Sequence, residues 1–83
     1  MISNRRPSTE SLWLLSTNLR SLRKARGYTQ IELARRTGLT NSYISKIERE
    51  LKNPSLANLD ALARGLEASL PDLFAPVQNE DGP

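Results

Sequence analysis

Apolar residues recur along this chain at helical spacing, starting with Leu12, Leu15, Leu19 and Leu22, which fall on one stripe of an α-helix. Ser8 after Pro7 reads as its N-cap and Gly27 as its C-terminal stop, so a first helix is predicted over about residues 9–26. Thr29-Gln30-Ile31-Glu32 has the T-x-x-E form of a capping box, and the helix it opens closes at Gly38 with Leu33 and Ala34 turned inward. Thr40 caps the next helix, which carries Ile44 and Ile47 on one face and ends near Arg49. Two short helices joined by a tight glycine turn must cross steeply, which is helix-turn-helix geometry. After the loop Asn53-Pro54-Ser55, a fourth amphipathic helix is predicted from Leu56, Leu59, Leu62, Ala63 and Leu66. Ser69-Leu70-Pro71-Asp72 opens a short fifth helix bearing Leu73 and Phe74. Residues 75–83, with two prolines and one further apolar residue, read as a disordered tail, and residues 1–8 as a flexible basic arm.

At 83 residues, the chain has the length of one small domain. It lacks Cys and His, which excludes disulfide frameworks, the usual zinc sites and nucleophile–imidazole catalysis. Its longest apolar run, Leu12-Trp13-Leu14-Leu15, is far too short for a membrane span or a signal-peptide core, so a cytoplasmic protein without membrane contact is expected. The net charge of +3 conceals an uneven distribution: residues 20–52 hold nine Lys/Arg against three acids, and residues 53–83 one against five. A basic centre is the footprint of a polyanionic partner, although a solvated charged face has the same composition.

Thr29-Gln30-Ile31-Glu32-Leu33-Ala34, Gly38-Leu39-Thr40, Tyr43-Ile44-Ser45-Lys46-Ile47-Glu48, Asn53-Pro54-Ser55-Leu56 and Leu70-Pro71-Asp72-Leu73-Phe74, in that order, resemble the phage-repressor-like (Xre/Cro-type) helix-turn-helix family. Within that family the chain looks most like the controller proteins of restriction-modification systems. It departs from them at Asn41, where they often carry a basic residue, and at Lys46, where they often carry glycine. The resemblance implies an all-α, five-helix, lambda-repressor-like DNA-binding domain over residues 9–74, with the helix-turn-helix formed by helices 2 and 3. It further implies a buried pairing of Arg23 with Glu48 and a phosphate contact from Gln30.

The second helix of such a unit enters the major groove N-terminus first. With Ile44 and Ile47 inward, Asn41, Ser42, Ser45 and Lys46 remain to contact bases; Asn pairs with adenine and Lys donates to guanine acceptors. Gln30, Thr40, Tyr43, Arg49, Lys52 and Asn53 flank that helix and are read as phosphate contacts, Tyr43 equally as a packing residue. Arg35 and Arg36 read as diffuse steering charge. The region from Leu66 to Phe74 is assigned to a dimer interface of Leu66, Leu70, Leu73 and Phe74, because Leu70, Leu73 and Phe74 supply more apolar surface than a short terminal helix needs, with core capping as Phe74's other reading. Trp13 and Leu14 lie off the first stripe, read either as extra packing or as a partner contact. Arg5 and Arg6 are either a free terminus or an arm that touches DNA.

The function expected is a sequence-specific transcriptional regulator, a homodimer on a palindromic operator of double-stranded DNA, acting as repressor or as controller-type activator-repressor. It needs no cofactor, metal or small-molecule effector. The alternative is an antitoxin-like module that binds a protein partner and regulates itself through DNA. An enzyme is not expected, since Asp60, Glu67 and Asp72 sit on helical surface that reads as solvated.

Overall fold

The computed structural model describes residues 9–77; the arm assigned to residues 1–8, with Arg5 and Arg6, lies outside them, as do residues 78–83 of the tail. The regular elements of the described residues are all helices, with no strand: α1 (Thr9–Ala25), α2 (Gln30–Thr37), α3 (Asn41–Glu48), α4 (Leu56–Gly65) and a 3-10 helix, Pro71–Phe74. None of the helices is long and apolar enough to cross a membrane.

Local chemistry sets the starts of the three short helices. Thr29 Oγ1 accepts from Glu32 N at 3.0 Å, Thr40 Oγ1 from Tyr43 N at 3.0 Å, and Ser55 Oγ from Asn58 N at 3.1 Å. Each satisfies an N–H that a helix start would leave orphaned. At α2 only half of the expected capping box forms, because the Glu32 carboxylate accepts from Arg35 and from Arg36 Nε instead. The reciprocal version occurs at the 3-10 helix: Asp72 N donates to Ser69 Oγ at 3.3 Å and Ser69 N to Asp72 Oδ2 at 2.9 Å. The Ser69 backbone N–H foremost, and then the Ser69 hydroxyl, hold the Asp72 carboxyl below its ordinary value of 3.8.

Helix ends are closed by left-handed residues, two of them not glycine. At α3, Glu50 (φ 61°) donates its N–H to Ile47 O at 2.9 Å, and Leu51 N reaches Lys46 O at 2.8 Å. Glu67 (φ 57°) closes α4 in the same way, its N–H donating to Arg64 O at 3.0 Å and Ala68 N to Ala63 O at 2.8 Å. A side chain in this conformation costs roughly 1–2 kcal/mol, which the paired carbonyls and the packed helix above them must offset. Arginine reinforces the α4 end, with Arg26 Nε donating to Leu66 O at 2.7 Å and Nη2 to Glu67 O at 3.1 Å.

The core gathers Leu15 and Leu19 of α1, Leu33 of α2, Ile44 and Ile47 of α3, Leu62 of α4, Leu66 at its C-cap and Leu73 of the 3-10 helix, each at most 2% exposed. Two expectations need correction here. Leu56 does not join the α4 stripe; it is 65% exposed, because the first turn of that helix stands clear of the core. The fifth helix is a single 3-10 turn: Ala75 is already extended (ψ 147°) ahead of Pro76. Asn18 Nδ2 takes the carbonyls of Leu73 (3.1 Å) and Ala75 (3.0 Å), so the first tail residue is stitched to α1.

Helices α2 and α4 approach so closely that Gly65 is sterically required. A Cβ there would lie 2.6 Å from the Thr37 methyl. That methyl cannot swing away cheaply, since Thr37 Oγ1 donates toward Leu33 O (2.9 Å) and Ala34 O (3.1 Å) and accepts from Leu39 N (3.2 Å). Helix propensity alone would make Gly65→Ala stabilising by about 1 kcal/mol. The clash instead makes it destabilising by about 1–3 kcal/mol in urea denaturation. Adding Thr37→Ser, which removes the methyl and keeps the hydroxyl, should recover most of that loss; a neutral Gly65→Ala would show that the contact is slack.

Candidate nucleic-acid interface

With Ile44, Ile47 and Glu48 buried, α3 turns Asn41, Ser42 and Lys46 to solvent and leaves Ser45 half-buried. Ser42, Lys46 and Arg49 follow one another at i, i+4 and i+7, opposite the buried isoleucines. Thr40, Arg49, Lys52 and Asn53 are all exposed around the two ends of this helix. A single outward surface therefore collects short polar side chains along α3 and cations beyond it.

Charge is distributed to suit this surface. Glu32 is held at the surface by Arg35 and Arg36, and Glu48 inside the fold by Arg23 and Arg20, so two of the central acids are paired. Lys46, Arg49 and Lys52 have no carboxylate partner among the described residues. Arg36 lies 4.3 Å from the centroid of the Tyr28 ring, which fixes it on the outer end of α2.

Behind the surface lies a buried carboxylate. The Glu48 side chain is 4% exposed and accepts from Arg23 Nε at 2.6 Å, Arg23 Nη2 at 3.1 Å and Gln30 Nε2 at 3.0 Å. Arg23 Nη1 also donates to Tyr28 O at 2.9 Å, and Arg20 Nη2 to the Glu48 carbonyl at 2.7 Å. The cluster thus ties α1, the α1–α2 turn and the start of α2 to the end of α3. No buried side-chain nitrogen or oxygen among the described residues lacks a partner. Sequence reasoning paired Arg23 with Glu48 but missed Arg20, which looks like any other basic residue of the central segment. It also missed the inward turn of Gln30: one hydrogen of its amide is committed to Glu48, so the side chain keeps one donor for any phosphate.

Tyr43, half-buried, carries Lys52 Nζ 5.9 Å from its ring centroid, and its hydroxyl accepts from Asn58 Nδ2 at 2.9 Å. Asn58 lies in the first turn of α4, outside every motif read from the sequence.

The assigned dimer surface does not survive intact. Leu66 and Leu73 are fully buried in the chain's own core, where they meet no solvent, so neither can face a second subunit. Leu70 and Phe74 are half-buried against the same core. Among the described residues, the large apolar side chains that remain exposed are Trp13, Ile31, Leu51 and Leu56.

The helix-turn-helix family model matches residues 19–73. The control protein C.SmaI of Serratia marcescens is 37% identical over 71 residues, 83% of this chain and 84% of that protein. A hypothetical transcription factor of Neisseria meningitidis serogroup B is 37% identical over 65 residues, 78% of this chain; the match spans 61% of the length of that relative. Among solved structures, the restriction-modification controller protein C.AhdI of Aeromonas hydrophila superposes with a TM-score of 0.74 at 39% identity, covering 77% of this chain and 97% of that one.

The coupling within the buried cluster is directly measurable. Glu48→Ala leaves Arg23 charged and unpaired and should cost about 3–5 kcal/mol in chemical denaturation, whereas Arg23→Met with Glu48→Leu should cost much less. Additive losses in that double-mutant cycle would mean that the pair is energetically independent.

Proposed function

The chain belongs to the Xre/Cro-type helix-turn-helix family, and from that premise we propose that it is a sequence-specific DNA-binding transcriptional regulator, in which α2 and α3 form the helix-turn-helix and α3 reads the major groove. The observation that carries the reading is the outward surface of α3: Asn41, Ser42 and Lys46 exposed on a helix whose other face is locked into the core. A helix so held offers a polar face to a major groove about 12 Å wide, which admits an α-helix. Ser45, half-buried, reaches only a base that approaches closely. Gln30, Thr40, Tyr43, Arg49, Lys52 and Asn53 form the phosphate frame, in which Gln30 acts through its remaining amide hydrogen and its backbone N–H at the start of α2.

Replacing Asn41 or Lys46 by Ala is expected to cost about 1–3 kcal/mol on a site recovered by in vitro selection and little on mixed-sequence duplex. Lys52→Ala should weaken both alike and lower the salt dependence of binding by about one unit. Equal losses on both duplexes for Asn41→Ala would remove that residue from the base readers.

One reading helix covers few base pairs, so the regulator is proposed to act as a homodimer on a palindrome with half-sites about 34 Å apart, as repressor or controller-type activator-repressor. Leu70 and Phe74 are the part of the assigned interface that keeps accessible surface. Leu70→Glu with Phe74→Asp should give a helical monomer by sedimentation and circular dichroism that binds half-sites and has lost its affinity for the palindrome. A dimer persisting in that variant would move the interface to the exposed Trp13 or Leu56 surface.

A further inference from the structure

A phenol carries one hydrogen to donate and lone pairs to accept with, and which of these faces outward depends on what the fold does with the other. Asn58 Nδ2 can only donate, and it does so to the Tyr43 oxygen at 2.9 Å. The bond consumes accepting capacity and leaves the phenolic hydrogen unspent; among the described residues no side chain or carbonyl accepts it. Lys52, itself exposed, sits over the same ring with Nζ 5.9 Å from the centroid, which puts a positive charge on the face of that side chain. A neutral donor aligned next to a cation is matched to an anionic oxygen.

We infer that Asn58 is a positioning residue that aims the Tyr43 hydroxyl, as a donor, at a backbone phosphate of duplex DNA. The inference rests on the reading of α3 as the DNA-facing helix with Tyr43 in its phosphate frame. The side chain of Asn58 acts through Tyr43 and not on DNA itself, and its backbone N–H is separately engaged by the Ser55 cap, which a side-chain substitution leaves in place. Because a phosphate contact carries no sequence information, the effect of Asn58 is the same on every duplex.

The test is a double-mutant cycle in the full chain, with affinity for a mixed-sequence duplex measured over a range of salt. Asn58→Ala and Tyr43→Phe should each weaken binding about threefold to tenfold, the scale of one ordinary hydrogen bond, and the double variant should be no weaker than Tyr43→Phe alone. The salt dependence should stay unchanged in all three, since no charge is lost. Asn58→Asp keeps a hydrogen bond to the phenol but as acceptor, drawing the hydrogen inward; it should weaken binding at least as much as Asn58→Ala, and its extra cost in the Tyr43→Phe background should be that of its charge alone. This variant keeps the cycle readable if Asn58→Ala lowers the melting temperature. Full loss from Asn58→Ala on top of Tyr43→Phe would overturn the positioning role and leave Tyr43 as a contact. No loss from Asn58→Ala alone would do the same. No loss from Tyr43→Phe would remove Tyr43 from the phosphate frame, and the inference with it.

Discussion

A carboxylate taken out of water must be met by donors from several directions, and the burial of Glu48 imposes that demand on the whole assembly. Its oxygens receive Arg23 twice and Gln30 once, and Arg20 closes on its carbonyl, so the end of α3 can occupy only one place relative to α1 and α2. Each of these bonds has a preferred direction, which an apolar contact lacks. The isoleucines of α3 supply the adhesion, and the carboxylate supplies the angle. Everything outward on α3 inherits that angle.

Much of the fold was legible because it is local. Thr29, Thr40 and Ser55 each act on an N–H three residues away, so caps could be read without knowing what packs where. Helix ends were harder: Gly27 and Gly38 announce themselves, while Glu50 and Glu67 hold left-handed backbone that no propensity suggests. Those residues are held there by hydrogen bonds to the turn they terminate. The short fifth helix is present as a 3-10 turn stopped ahead of Pro76, whereas the stripe through Leu56 ran too far. Periodicity says which face of a helix is apolar, but not how far along its length a neighbour covers it.

The outward residues of α3 were likewise accessible to reasoning, since burying Ile44 and Ile47 determines what Asn41, Ser42 and Lys46 must do. What escaped were side-chain bonds between elements distant in sequence. Gln30 looked free to face a partner and is turned toward Glu48; Asn58 looked like an ordinary helix-surface amide and meets Tyr43 across 15 positions. Leu73 was assigned outward from a count of apolar residues against the needs of a short helix, and Leu66 as the start of the same region. That count had no knowledge of how deeply α1 and the 3-10 turn enclose them.

The chain has one tryptophan, and it stands 43% exposed on the first half of α1, away from the leucines and isoleucines that make the core. Its emission therefore responds to whatever comes to rest on that flank of α1 far more than to the tightness of the interior. The intact domain already holds its indole partly in water, and a blue shift on concentrating the protein or mixing it with another would mark a surface being covered. Fluorescence, usually an indicator of collapse, is in this molecule a reporter of association.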